Sequence, residues 1–391
     1  MRKIYGFIGV LSFIMLFLSG APEVIAKDKE VVIGYIGPLT GGAAFLGVDA
    51  LNGALIAVDE INAAGGITVA GQKYKVKIES YDDEATPAKS IAGLKKLKDL
   101  YDIPVVIDNI SGSAMAIAEI NERMGVLWCG FARHPSITGR GNKLVLRNEG
   151  SVTVDTDLAA KGALEVLMAK TFAVLCDTGD WGRGVRDNFV KAMEAAGAKH
   201  LGTEWFDMRK DTDFRVQITK VKALNADTVK VVAYDEASGQ LVKQCREMGI
   251  KVPLVMTTGF QTKGEQIAGG KNIEGCINIL GPSNFNPLPK SLVNYRENYQ
   301  KRFKAEAAAY GENNYELTYI ITRGMEKAGN VNDAHKIKAG MKAVIPIEKE
   351  HRTTWLKQWA DNGDGILWRD VAIYKNGQRV HSDGRPAAPQ D

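Results

Sequence analysis

Ser111-Gly112-Ser113 offers the first chemistry in the chain: two hydroxyls and a run of backbone N–H groups in a tight polar turn. The turn stands between an apolar strand, Val105-Val106-Ile107, and a segment with Ile117, Ile120 and Met124 at helical spacing. Free amides at a helix start favour an anion, and open α/β sheets bind ligands at the carboxyl ends of their strands. Ser111 and Ser113 are therefore expected at the mouth of a binding cleft, although serine also serves there as an ordinary helix cap. A carboxylate cluster, Asp82-Asp83-Glu84, could hold a cation, but a solvated turn beside a helix start is the simpler expectation. Four more strand ends carry polar or aromatic turns: Thr40-Gly41-Gly42, Phe131-Ala132-Arg133, Asp180-Trp181-Gly182 and Tyr234-Asp235. Five such turns on one edge suggest a cleft between two lobes.

Signatures of catalysis are missing. There is no GxxxxGK[ST], Gly182-Arg-Gly184 lacks the third glycine of a dinucleotide fingerprint, and Gly112-Ser113 is not embedded in G-x-S-x-G because position 115 is Met. His134, His200, His335, His351 and His381 are dispersed, and Cys129, Cys176, Cys245 and Cys276 have no zinc spacing. No metal, no cofactor and no enzyme activity are expected. An oxidising compartment would permit a Cys245–Cys276 disulfide; four buried free thiols is the simpler expectation.

These turns need elements to position them. After residue 30 strands and helices alternate for some 250 residues, the pattern of parallel sheets covered on both faces. Val31 to Ile36 reads as a strand, and Val48, Leu51, Leu55, Val58 and Ile61 as a helix face ended by Gly65-Gly66. Thr86-Pro87 starts another helix with a cap and a first-turn proline. A second series opens after Arg147, with helices expected over 158–169 and 184–196. Proline and asparagine crowd 281–289 as a linker, and Asn376-Gly377 marks a terminal hairpin.

With 391 residues, 45% of them hydrophobic and 25% charged, the chain suits two globular lobes. Arg2 and Lys3, an apolar run from Ile4 to Leu18, and small residues ending in Val24-Ile25-Ala26 describe a secretory signal peptide over 1–26. An uncleaved anchor is the alternative. Loss of Arg2, Lys3 and Glu23 lowers the formal charge from +4 to +3, too mild to argue for nucleic acid.

Gly37-Pro-Leu-Thr-Gly41, Leu46-Gly47, Asp59-Glu-Ile-Asn-Ala-Ala-Gly-Gly66 and Asp82-Asp-Glu resemble the opening of the leucine/isoleucine/valine-binding protein family. Trp181-Gly-Arg-Gly184, Asp211-Thr-Asp-Phe214 and Gly239-Gln-Leu-Val-Lys-Gln244 are similar to its second-lobe motifs. The resemblance implies a type I periplasmic binding protein: two Rossmann-like lobes, a central cleft and three hinge crossovers. It would comprise 27–147 with 282–345 as lobe one, and 148–281 with 346–391 as lobe two. The function implied is that of a periplasmic, monomeric receptor of an ABC importer. It would capture an amino acid, branched-chain or other, or a small organic carboxylate, aromatic acids included, by cleft closure, and deliver it to a permease. A sensing module for a signalling partner is the first alternative, and an α/β enzyme the second.

Carried over residue by residue, the resemblance puts Ser111 on the ligand carboxylate and Ala132-Arg133 where the family usually offers Ala-Thr. Trp181 replaces an aromatic, usually Tyr, that packs on the ligand. Leu46 stands where an aromatic commonly precedes the glycine, and Tyr234 matches a pocket tyrosine with Asp235 beside it. Amino-acid receptors of the family hold the ammonium with an acid in the turn after 253–256. Here that turn is Met256-Thr-Thr-Gly-Phe260, with no acid until Glu265. Either Asp235 supplies the counter-charge or the ligand has no ammonium. Arg133 favours the second through a bidentate carboxylate pair, unless it points into solvent.

Overall fold

A computed structural model describes residues 29–383 apart from Asn286, together with Met1; the expected signal peptide lies outside the described residues. Of Asp235 only the backbone is described.

The first sheet is built from β1 (Lys29–Gly37), β2 (Ile67–Val69), β3 (Gln72–Asp82), β4 (Val105–Asp108), β5 (Leu127–Gly130) and β6 (Val145–Arg147). Its order is β2-β3-β1-β4-β5-β6, parallel except for the β2–β3 pair. Helices α1 (Ala44–Ala63), α2 (Pro87–Tyr101) and α3 (Ser111–Ala118) link its strands. All four residues of β4 and of β5 are buried, as expected for strands covered on both faces. Order reverses between β1 and β4, so the turns after these two strands frame a crevice.

The second sheet repeats the plan. After α4 (Val152–Lys161) come β7 (Thr171–Asp177), α5 (Asp180–Ala195), β8 (Lys199–Phe206), α6 (Arg215–Ala223), β9 (Thr228–Val232) and α7 (Asp235–Glu247). Then follow β10 (Leu254–Val255), α8 (Thr262–Ala268), α9 (Gly270–Ile273) and β11 (Ile277–Leu280). The chain returns to the first lobe with α10 (Lys290–Phe303), α11 (Ala309–Ala328), α12 (Ala334–Val344) and a small ribbon of β12 (Leu356–Trp359) and β13 (Gly365–Leu367). It ends on the second sheet with β14 (Asp370–Lys375) and β15 (Gln378–His381). The second order is β15-β14-β11-β10-β9-β7-β8, and its reversal falls between β7 and β9.

Several expectations shift in detail. Residues 346–367, expected with the second lobe, lie against the first. Ile347, Leu356 and Trp359 join its core, and the Trp359 Nε1–H donates to the Arg147 carbonyl at 2.7 Å. The third passage between sheets is therefore at Trp368–Arg369, just before β14. Helix α4 starts six residues before the expected 158, because the Ser151 hydroxyl accepts from Thr153 N at 3.1 Å. The Thr86 side chain makes no cap at α2, although Pro87 does open it. Asp83 organises that turn instead. Its carboxylate accepts from Ala85 N at 2.9 Å, Ser90 Oγ at 2.7 Å and Ser113 Oγ at 2.6 Å. Asn376 and Gly377, both at positive φ, close the expected hairpin.

Helices α1 and α11 cross so closely that a Cβ on Gly53 would lie 2.0 Å from the Gly311 carbonyl oxygen. The obstacle is backbone, so neither helix can yield by a rotamer change. Gly53→Ala is expected to destabilise the chain by about 2 kcal/mol, the usual cost of overpacking, seen as a lowered midpoint in urea.

Candidate ligand-binding cleft

The four turns at the two points of strand reversal face one another. Gly42 and Ala43 follow β1, Asn109 to Gly112 follow β4, Thr178 to Trp181 follow β7, and Tyr234, Glu236 and Ala237 follow β9; together they line a cleft of about 660 Å³. That size suits a small-molecule ligand. The lobes touch at its rim. A Cβ on Gly42 would sit 3.2 Å from the Arg209 carbonyl oxygen, and one on Gly112 would sit 2.8 Å from Asp180 Oδ2.

Ser111 opens α3 and is buried against the cleft. Its Oγ accepts from Arg133 N at 3.3 Å and from His134 N at 3.2 Å. Two amides fill both hydroxyl lone pairs, so the Ser111 O–H can only donate. No acceptor for it exists among the described residues. Beside it, the Asn109 oxygen accepts from Phe131 N at 3.0 Å while its buried Nδ2 has no acceptor at hydrogen-bond geometry among the described residues. Donors without acceptors, at a helix N-terminus, form a place for an anionic oxygen. Ser113 differs from expectation: it is fully buried and donates to Asp83, away from the cleft. The rest of the Asp82-Asp83-Glu84 cluster is likewise engaged. Asp82 accepts from Leu39 N, Thr40 Oγ1 and Glu84 N, and Glu84 pairs with Lys89. Among the described residues no His, Cys, Asp and Glu group suited to a metal occurs.

Trp181 and Tyr234 line the cleft from the second lobe, their rings stacked at 4.2 Å and 20°. Trp181 sits in the first turn of α5, which begins four residues before the expected 184. Leu46 lines the opposite wall, in α1. An inner chamber of about 60 Å³ extends from the cleft, sharing Phe45, Leu46, Trp181 and Tyr234 with it. Three further aromatic residues enter here: Phe45, 59% exposed at the cleft, Phe131, from one of the turns expected there, and Tyr310 from the first turn of α11. Phe131 and Tyr310 pack at 4.6 Å, and Tyr310 stands edge-on to Tyr234 at 6.1 Å. The neighbours of Leu46 and Ala132 carried a signal, since each is preceded by Phe. Tyr310 carried none.

Ala132 packs in the core with Ile36, Trp128 and Ile137 and does not line the chamber. Arg133 is 4% exposed, so it does not point into solvent; it lines the inner chamber with its donors engaged by protein. Its Nη2 pairs with Asp155 at 2.5 Å, its Nη1 donates to Thr258 Oγ1 at 2.6 Å, and its Nε to the Gly150 carbonyl at 3.0 Å. Burial alone would lower its pKa, but the Asp155 and Glu149 carboxylates outweigh this and hold it above the ordinary value. Glu149 in turn pairs with Arg369 at 2.5 Å. The Asp235 side chain lies outside the described residues. Asp49 lines the chamber and accepts from Ala308 N at 3.1 Å and Gly311 N at 2.7 Å; burial pushes it up to about 7.

Below Trp181, Lys230 on β9 is buried, donating to the Met256 carbonyl at 2.6 Å with its Nζ 5.0 Å from the centre of the Phe189 ring. Burial lowers it from 10.5 to about 7, against the pull of Asp155. Between these values the unfolded chain holds a proton that the folded chain lacks, so this group favours folding more as pH rises. Wild type is expected to gain stability relative to Lys230→Met from about pH 7 to about pH 10, read from urea midpoints of both. All four cysteines are buried and free.

The periplasmic binding protein family model matches residues 30–375. The Leu/Ile/Val-binding protein BraC3 of Rhizobium johnstonii is 30% identical over 314 residues, covering 80% of this chain and 83% of that protein. Among solved structures, the branched-chain amino acid transporter substrate binding protein of Streptococcus pneumoniae, in complex with isoleucine, is similar with a TM-score of 0.75 at 21% identity. It covers 92% of this chain and 100% of its own. An ABC transporter solute binding protein from R. palustris, in complex with benzoate, is similar with a TM-score of 0.76 at 16% identity, covering 92% and 98%. At such identities the solved structures speak to the fold.

Proposed function

We propose that this chain, which belongs to the leucine/isoleucine/valine-binding family of periplasmic binding proteins, captures a small carboxylate between its lobes and hands it to an ABC importer's permease. Members of the family are solute-binding proteins, and relatives are described with isoleucine and with benzoate. The observation that carries the reading is the Ser111 hydroxyl. Two amides occupy its lone pairs, so its proton is left to point at an acceptor that the described residues do not supply. A carboxylate oxygen is such an acceptor. Asn109 Nδ2 and the first-turn amides of α3 add to the same end.

Trp181 and Tyr234 close over the ligand from the second lobe, and Leu46 supports it from the first. Capture is reversible and makes no covalent bond. Closure follows from a ligand that touches both lobes and so favours the closed state. The lobes comprise 30–147 with 288–367, and 152–280 with 370–382, on the support of the strand pairing and core packing above. The chain acts as a monomer in the periplasm after cleavage following Ala26.

The test is a thermal-shift screen of residues 27–391 against amino acids and amine-free carboxylates. A binding ligand raises the melting temperature with concentration as mass action requires. Failure of every carboxylate to do so would remove the reading. Peptide sequencing of the periplasmic fraction checks the mature terminus.

A further inference from the structure

Resting on the carboxylate reading above, we propose that the ligand is an aryl carboxylate without an amino group. The acid end lies at Ser111, so the rest of the molecule extends toward the inner chamber, whose walls are set by Phe45, Leu46, Phe131, Trp181, Tyr234 and Tyr310. Five of these six are rings, drawn from both lobes: Trp181 stacks on Tyr234, Tyr234 stands edge-on to Tyr310, and Tyr310 packs at a tilt on Phe131. Flat apolar surface of this kind matches an aromatic ring in area and in face-to-edge geometry.

The charged and amide groups of the chamber are engaged by protein. Arg133 serves Asp155, Thr258 and Gly150; Asp49 accepts two amides; the Gln261 amide donates to the Thr258 carbonyl at 3.1 Å. An ammonium entering here would meet the Arg133 guanidinium, and Asp49, the chamber's carboxylate among the described residues, already accepts two amides. On the cleft side Asp177 accepts from Gly179 N and Met208 N, and Glu236 pairs with Lys263. Among the described residues Asp180, exposed at the rim opposite Gly112, offers an amine a carboxylate.

Matched pairs decide the matter by calorimetric titration of the mature chain. Phenylalanine is set against 3-phenylpropanoate and leucine against 4-methylpentanoate, with benzoate as the ring alone. The expected result is that an aryl acid binds, at least tenfold more tightly than its amino counterpart and than the aliphatic acid. Equal or tighter binding of the amino acids would overturn the inference, and its loss in Asp180→Asn or Asp235→Asn would locate the ammonium. Binding of an aliphatic carboxylate alone, lost in Ser111→Ala, would overturn the aryl class while leaving the receptor reading intact. Binding of no carboxylate would remove both. Thr258→Glu, which adds an acid where Arg133 now donates to a hydroxyl, should narrow the preference against amines; an unchanged ratio would show that the chamber floor does not set it.

Discussion

Ser111→Ala weakens capture of the carboxylate by about 10- to 100-fold, because a hydrogen bond to a charged group contributes about 1.5–3 kcal/mol. The substitution acts twice. It removes the donor to the ligand, and it strips the acceptor from two buried amides, Arg133 N and His134 N. Each unsatisfied amide costs stability, about 1 kcal/mol or more. The two effects separate when a titration of binding is paired with a urea melt of the free protein. A Ser111→Thr variant keeps the hydroxyl and with it both amides, so it should retain far more affinity than the alanine. Undiminished binding by Ser111→Ala would sink the placement of the acid end.

The parts of the site that periodicity and turn chemistry control were legible in the sequence. Strands end where the apolar runs end, and the topology of a doubly wound sheet brings the turns after β1, β4, β7 and β9 together. Ser111, Trp181, Tyr234 and Leu46 are all found on that cleft. What depends on side-chain direction was not legible. Ser113 lies two residues from Ser111 on one short helix, yet the helical turn aims it inward, where Asp83 takes its proton. Arg133 reads as a free guanidinium until Asp155 and Thr258, far along the chain, are folded against it. Tyr310 enters from a helix that the sequence places well beyond the second lobe. The ribbon of β12 and β13 joins the first lobe through Leu356 and Trp359, two contacts that no local pattern announces.

Arg133→Leu should destabilise the chain by about 3–5 kcal/mol, since it leaves Asp155 buried without its partner. The side chain starts in the first lobe, in the turn after β5. It reaches Asp155 on α4 and Thr258 beyond β10, so the loss falls where the chain passes between lobes. Glu149 does not take over, being itself anionic and already paired with Arg369. Arg133→Lys would not restore the site either, because one ammonium cannot reproduce three donors in a planar fork toward Gly150, Thr258 and Asp155. The double variant Arg133→Leu/Asp155→Leu removes both charges and should recover much of the loss, as apolar replacements of buried pairs do elsewhere. A double-mutant cycle in urea therefore measures the pair itself. Added salt should change the cycle little, because the pair is shielded from solvent ions. A single-variant cost under about 1 kcal/mol would mean that water reaches Asp155, and that the two lobes are not joined through this charge.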